Sequence, residues 1–195
     1  MEDQGLSPNM LERARRLDDP RRLETQVSEE DLSRILDLRG DEDIIDLGSG
    51  TGFYTNRIAK LTHGLVYAVE IEPELHRYHA SRGLPENVRP ILGDVTRLEL
   101  APASADLAVS IATWHETGGV LDLPGLLRIL RPGGRLIVVD WRKKPKSFGS
   151  GPPLDIRADK EEVTRALAPW FTPLVSEDLG PNMFFVAARR GEGPS

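Results

Sequence analysis

Residues 44–55, IIDLGSGTGFYT, form an apolar run that ends in an acid and then breaks into glycines at 48, 50 and 52. The apolar residues read as a strand, and the glycines as a tight loop that opens the next helix. In an open α/β sheet the ligand sits beyond the carboxyl ends of the strands where strand order reverses, so this loop is the expected cradle. A dinucleotide fingerprint, G-x-G-x-x-G, would place its third glycine at position 53, where this chain has Phe53. Asp46 would also repel a diphosphate at the helix N-terminus, where anions otherwise gain. A ligand carrying an ammonium or sulfonium would be attracted instead.

Outward from this loop, apolar runs alternate with amphipathic segments. DIIDL, GLVYAVE, VRPIL, ADLAVSIA and GRLIVVDW read as strands. YTNRIAKL, PELHRYHAS and LPGLLRIL read as the helices among them. A helix opens at Ser28 with Asp31 three residues on, carries Leu32, Ile35 and Leu36 on one face, and stops at Gly40. Asp159 and Glu162 open another helix, running to about Ala168, and FTPLVSEDL with MFFVAARR reads as a closing hairpin. Strands apolar on successive residues and separated by helices indicate a parallel sheet covered on both faces. The expected fold class is α/β: a Rossmann-like, mostly parallel sheet with helices on both faces and a C-terminal antiparallel hairpin. Residues 1–27 are polar and arginine-rich and read as an irregular arm with a short helix, serving as a lid. Residues 28–190 form the domain, 191–195 a frayed tail, and 143–153, KKPKSFGSGPP, a surface loop long enough to reach over a pocket.

Glu70 ends the second strand about twenty residues after the glycines, the distance at which a carboxylate reaches the hydroxyls of a ribose. A ribose joined to a cationic group suggests S-adenosylmethionine. DLGSGTG, VYAVEIEPE, ILGDVTRLEL and ILRPGGRLIVVD, in that order, resemble the successive motifs of class I S-adenosylmethionine-dependent methyltransferases over roughly residues 28–142. Within that family the chain is most similar to small single-domain members akin to the quinone-biosynthesis C-methyltransferases. The resemblance implies a seven-stranded sheet and a set of cofactor positions. It places Asp46, Gly48, Ser49 and Gly50 around the methionine half, with Gly52 at the helix start. Glu70 falls on the ribose, Ile71 against the adenine, Asp94 on the adenine amino group, Val95 on the ring and Ile111 beside the cofactor.

Composition narrows the acceptor. The formal net charge of -6 over 195 residues disfavours a partner held by phosphate neutralisation, and nucleic acid is not expected. Absence of cysteine removes disulfides, zinc–thiolate sites and thiol nucleophiles, and with them the cytosine C5 and arsenite branches. The loop after the fourth strand, TWHETGG, lacks the Asn/Asp-Pro-Pro-aromatic motif of amino methyltransferases acting on DNA bases and glutamine. No stretch approaches the ~20 apolar residues of a membrane span, and the first thirty residues lack a signal-peptide core. A cytoplasmic protein acting on a small-molecule methyl acceptor at O, N or C is therefore expected, with a homodimer as the one assembly considered. A non-catalytic binding module on the same fold is the alternative, and an NAD-dependent oxidoreductase is disfavoured by Phe53 and Asp46.

Methyl transfer needs alignment, and needs a base only where the acceptor must lose a proton. His115 is the candidate base, with Glu116 assisting. Trp114, Trp141, Tyr54, Arg142 and Arg157 are candidate walls and ligands of the acceptor pocket. His76 and His79 share a helix face at metal-binding spacing but have no third ligand, so they read as exposed helix residues, and no metal is expected.

Overall fold

The computed structural model describes residues 5–144 and 151–193. The proposed reach of the 143–153 loop over a pocket falls largely on residues 145–150, outside the described residues, as do the first four residues of the arm and the last two of the tail. The helices are α1 (Pro8–Leu17), α2 (Arg22–Thr25), α3 (Glu29–Leu36), α4 (Thr55–Ile58), α5 (Pro73–Ser81), α6 (Leu123–Ile129) and α7 (Lys160–Leu167). The strands are β1 (Ile44–Leu47), β2 (Val66–Glu70), β3 (Val88–Leu92), β4 (Ala105–Ile111), β5 (Leu130–Trp141), β6 (Phe171–Leu179) and β7 (Met183–Arg190). They make one sheet in the order β3-β2-β1-β4-β5-β7-β6. The first five pair in parallel, and β7 enters antiparallel between β5 and β6. The mostly parallel sheet with a terminal hairpin is the architecture expected from the sequence.

Alternation along each strand builds two cores, because successive side chains leave a strand on opposite faces. On one face Ile44, Leu107, Val109, Ile137 and Val139 meet Leu32, Ile35 and Leu36 of α3. On the other Ile45, Leu47, Ala108, Leu136 and Val138 meet Leu126 and Ile129 of α6 and Val163 and Leu167 of α7. Helix ends agree with their sequence signals. The Asp31 N–H donates to Ser28 Oγ at 3.0 Å, and the Asp159 N–H to Glu162 Oε2 at 2.8 Å.

Three elements differ from the sequence reading. The segment 54–61 is helical only over Thr55–Ile58. The Asn87 amide explains the early stop: its Nδ2 donates to the carbonyls of Ala59, Thr62 and Gly64 at 3.0–3.1 Å, so those carbonyls are satisfied without further helix. β5 starts at Leu130, with the register slipping between the Ala105/Leu130 and Leu107/Arg135 pairs, so that RPGG loops out of the ladder. The N-terminal arm is more ordered than its polarity suggests. It holds a ten-residue helix and one further turn, and buries Ala14, Arg22 and Val27.

Ile45 is fully buried in β1, an interior strand of the sheet. Ile45→Ala should lower the unfolding free energy by about 2–5 kcal/mol, the usual cost of a core cavity, read as an earlier urea midpoint at unchanged slope. A midpoint within error of wild type would show that this face is not packed as described.

Candidate active site

The sheet order reverses beside β1: the chain first winds outward through β2 and β3, then crosses to β4 on the other side. There a crevice of about 1110 Å³ opens at the carboxyl ends of the strands. Asp46, Glu70 and Ile111 reach it from strand ends, Asp94 and Val95 from the loop after β3, and Gly48, Ser49 and Gly50 from the glycine loop. The arm closes the opposite side with Arg13, Arg16 and Leu17 of α1 and Arg22 and Thr25 of α2. Ion pairs anchor α1: Arg13 to Glu116 at 2.9 Å, and Asp18 to Arg82 of the segment after α5 at 2.5 Å.

The three acids are held differently. Asp46 is buried and accepts from Thr55 Oγ1 at 2.5 Å. Burial pushes its carboxyl up to about 6, and the charge of Glu70 pushes the same way; the Thr55 hydroxyl and the Arg22 guanidinium oppose them. Glu70, also buried, accepts the Gly50 N–H at Oε2 (2.7 Å) and the Glu72 N–H at Oε1 (2.8 Å). These bonds aim the carboxylate across the glycine loop and leave lone pairs on both oxygens. Asp94 accepts the N–H and hydroxyl of Thr96 at Oδ1, at 2.8 and 2.7 Å. Its Oδ2 has no hydrogen-bond partner among the described residues.

The cradle itself is backbone. Gly48 has φ of +80°, and a Cβ there would lie 2.3 Å from Thr113 Oγ1. The loop can therefore take this path against the β4 loop only without a side chain. Ala112, with φ of +57°, turns the chain out of β4 toward the crevice, an uncommon backbone conformation for a residue with a Cβ. Ile71 stands 62% exposed at the rim, and Val95 lies buried on the same crevice, giving apolar surfaces suited to a planar ring. Ser49 Oγ is buried without any hydrogen-bond partner, although it lies in the cradle. Such an orphan costs about 1–3 kcal/mol unless a ligand satisfies it.

The structure brings most of the residues singled out in the sequence to this crevice and leaves some out. His115, Glu116, Tyr54 and Trp141 line it with the cofactor candidates. Gly52 does not; its constraint is His79, whose Nε2 would lie 2.0 Å from a Cβ at this position, where φ is +83°. Trp114 is buried in the core packed by α6. Arg142 turns away and pairs with Asp178 at 2.9 Å. Arg157 is buried, donates to the Pro152 carbonyl at 2.7 and 2.9 Å and lies over the Trp141 ring, so it positions crevice walls from behind. His79, read as exposed, is buried and bonded to Asn56 Oδ1 at 3.1 Å; burial first, then Arg82, pulls its pKa down to about 4, so it stays neutral. No metal-binding cluster occurs among the described residues, and no helix there is long and apolar enough to cross a membrane.

Sequence reasoning missed Asp140 and the arm arginines. Asp140 is fully buried at the end of β5 and accepts from His115 Nδ1 at 2.8 Å. Its signal was an acid closing an otherwise apolar run, LIVVDW. Arg22 is buried against the Phe53 and Tyr54 rings, 4.9 and 4.7 Å from their centroids. In the sequence it looks like any of its arginine neighbours.

The crevice offers a backbone cradle, an orphan hydroxyl, three carboxyl groups with open acceptor positions, and an apolar slot, a donor set compatible with an adenosyl ligand carrying a cationic amino-acid tail. Residues 45–138 match the family described as a methyltransferase domain. An uncharacterized methyltransferase of Mycobacterium tuberculosis is 35% identical over 107 residues, 54% of this chain and 42% of the relative. A demethylmenaquinone methyltransferase of Beutenbergia cavernae is 30% identical over 111 residues, 56% of this chain and 45% of the relative. The chain thus spans less than half the length of these curated relatives. The quinone branch is one likeness among others. The crystal structure of a SAM-dependent methyltransferase from Aquifex aeolicus superposes with a TM-score of 0.82 at 26% identity, covering 92% of this chain and 98% of that one.

Two outcomes are expected. The folded chain binds the Asp46 proton more tightly than the unfolded chain, with the carboxyl at about 6 against 3.8 for the free group. The stability this contributes is full below about pH 4 and lost as pH rises through about 6, roughly 2–3 kcal/mol in all. Asp46→Asn should therefore melt above wild type at about pH 8, with the gap closing below about pH 4; equal melting at both pH values would refute the buried charge. Gly52→Ala should cost more than about 1 kcal/mol through its positive φ and the His79 contact, read by thermal melting. A neutral substitution would show that His79 can move aside freely.

Proposed function

We propose that the chain, whose residues 45–138 match a methyltransferase domain, is a class I S-adenosylmethionine-dependent methyltransferase that transfers a methyl group from that cofactor to a small-molecule acceptor at oxygen, nitrogen or carbon. The observation that supports this most is the convergence of Asp46, Glu70 and Asp94 on one crevice with a backbone cradle and the orphan Ser49 hydroxyl. In this reading Asp46 faces the ammonium of the methionine half and Ser49 donates to that half, with Gly48 and Gly50 giving it room. Glu70 accepts from the ribose hydroxyls. Ile71 and Val95 enclose the adenine, Asp94 Oδ2 accepts from its amino group, and Ile111 packs beside the cofactor.

When bound, the cofactor supplies an electrophilic methyl whose bond to sulfur breaks with its electron pair leaving on sulfur. The chain's part is to hold the acceptor in line and keep water out, which can supply much of the acceleration. The volume of about 1110 Å³ exceeds the ~300–1,000 Å³ of an ordinary ligand pocket, leaving room for a second small molecule beside the cofactor. Residues 1–27 act as the lid: Leu17 Cδ1 lies 3.2 Å from where a Cβ on Gly50 would stand, and Arg13 bonds to Glu116 across the opening. The acidic balance of the chain favours a small acceptor over nucleic acid.

Calorimetry tests the cofactor. S-adenosylmethionine and S-adenosylhomocysteine should bind more tightly than NAD, and Glu70→Ala and Asp94→Ala should each weaken them by about 1–3 kcal/mol, roughly 5- to 150-fold. Tighter binding of NAD, or unchanged affinity in both variants, would overturn the assignment. A labelled-methyl turnover assay over phenols, amines, quinols and thiols then separates an enzyme from a non-catalytic module, which would bind the donor and label nothing.

A further inference from the structure

We propose that His115 and Asp140 form a proton-accepting dyad, and that the acceptor is therefore a hydroxyl compound methylated on oxygen; this rests on the methyltransferase reading above. His115 comes from the loop after β4, and Asp140 is the penultimate residue of β5. The imidazole Nδ1 and Asp140 Oδ1 are 2.8 Å apart, and the backbone N–H of His115 donates to Oδ2 at 3.2 Å. The Trp141 N–H donates to Oδ1 at 2.6 Å. Asp140 is fully buried and the His115 side chain is 8% exposed.

An acid in the middle of a packed sheet is costly unless paired, and a strand end gains nothing in packing from it. Here the carboxylate is satisfied by two backbone N–H groups and one ring nitrogen. A carboxylate only accepts, so Nδ1 carries a proton, and in the neutral imidazole Nε2 then presents a lone pair. His115 lines the crevice, and its Nε2 has no hydrogen-bond partner among the described residues. A histidine serving only to pin the loop would need neither the crevice position nor a free nitrogen there. Charged groups nearby are Glu116, paired with Arg13 of α1, and Arg157, whose guanidinium feels the charge of Asp140.

The dyad selects the acceptor. A base is superfluous for a thioether or for a group already ionised at neutral pH, and most useful for a hydroxyl, which keeps its proton until attack. In the step assigned to His115, the acceptor O–H bond breaks toward Nε2. Its electron pair stays on oxygen and forms the new bond to the methyl carbon, while the pair of the broken methyl–sulfur bond leaves on sulfur. The proton passes from the imidazole to solvent. His115 is the catalytic residue, and Asp140 a positioning residue that fixes the tautomer.

Imidazole nitrogen NMR on the ligand-free chain reads the geometry first. His115 should be the Nδ1–H tautomer, and Asp140→Asn should shift it toward Nε2–H; an Nε2–H wild type overturns the dyad. Labelled S-adenosylmethionine with phenol, catechol, 4-hydroxybenzoate, 4-nitrophenol, benzylamine and thiophenol reads the chemistry. His115→Ala should cut turnover of phenol by about 100- to 10,000-fold. Activity should recover as pH rises and phenol ionises, and the loss should be far smaller for 4-nitrophenol, which gives up its proton readily. Asp140→Asn should lose at least about tenfold in the same pattern, the lower edge of a base's contribution. S-adenosylhomocysteine affinity should be unchanged in both variants, which also certifies that they fold. Uniform loss across acceptors, no loss in His115→Ala, or a wild type that binds the donor but labels no hydroxyl compound would each overturn the inference. A wild type that binds neither S-adenosylmethionine nor S-adenosylhomocysteine would instead sink the reading beneath it.

Discussion

A carboxylate taken out of water costs several kcal/mol unless its surroundings compensate, and the carboxyl edge of this sheet holds three of them buried, at Asp46, Glu70 and Asp140. Glu70 is compensated by two backbone N–H groups, and Asp140 by His115 and two more. Asp46 has one hydroxyl and a distant guanidinium, so its carboxyl is held up at about 6. The sheet buries apolar residues on both faces to sustain this edge, and the arm with its arginines covers the opening. A cationic ligand set against Asp46 would offset the cost of burying its charge.

Much of the architecture was legible because it rests on local rules. The strand at 44–47, the glycines beyond it and the acid ending β2 follow from periodicity and turn chemistry alone, and the parallel order follows from strands alternating with helices. The early end of α4 was not legible, since the Asn87 amide that ends it lies 23 to 28 residues away in sequence. The arm was underestimated because it is held by partners distant in sequence: Arg13 pairs with Glu116, Asp18 with Arg82, and Arg22 packs on the Phe53 and Tyr54 rings.

The site divides along the same line. Residues on the loops that follow the strands were located by order and spacing, and they reach the crevice together. Residues whose role depends on side-chain direction were not separable in advance. Trp114 follows β4 and Trp141 ends β5, and both are buried, yet only Trp141 also lines the crevice. Arg142 reads as a pocket residue by position and turns to Asp178. Gly52 reads as part of the cradle, and its need for glycine comes from a buried histidine on the neighbouring helix.

The pH dependence of donor affinity tests the central claim most directly. Calorimetric titration with S-adenosylmethionine between about pH 4.5 and 7, below the range where an α-amino group loses its own proton, should show affinity rising as Asp46 ionises and levelling above about 6. The rise should vanish in Asp46→Asn. Affinity that is flat or falls over that range in wild type would contradict a cationic ligand held against this carboxylate.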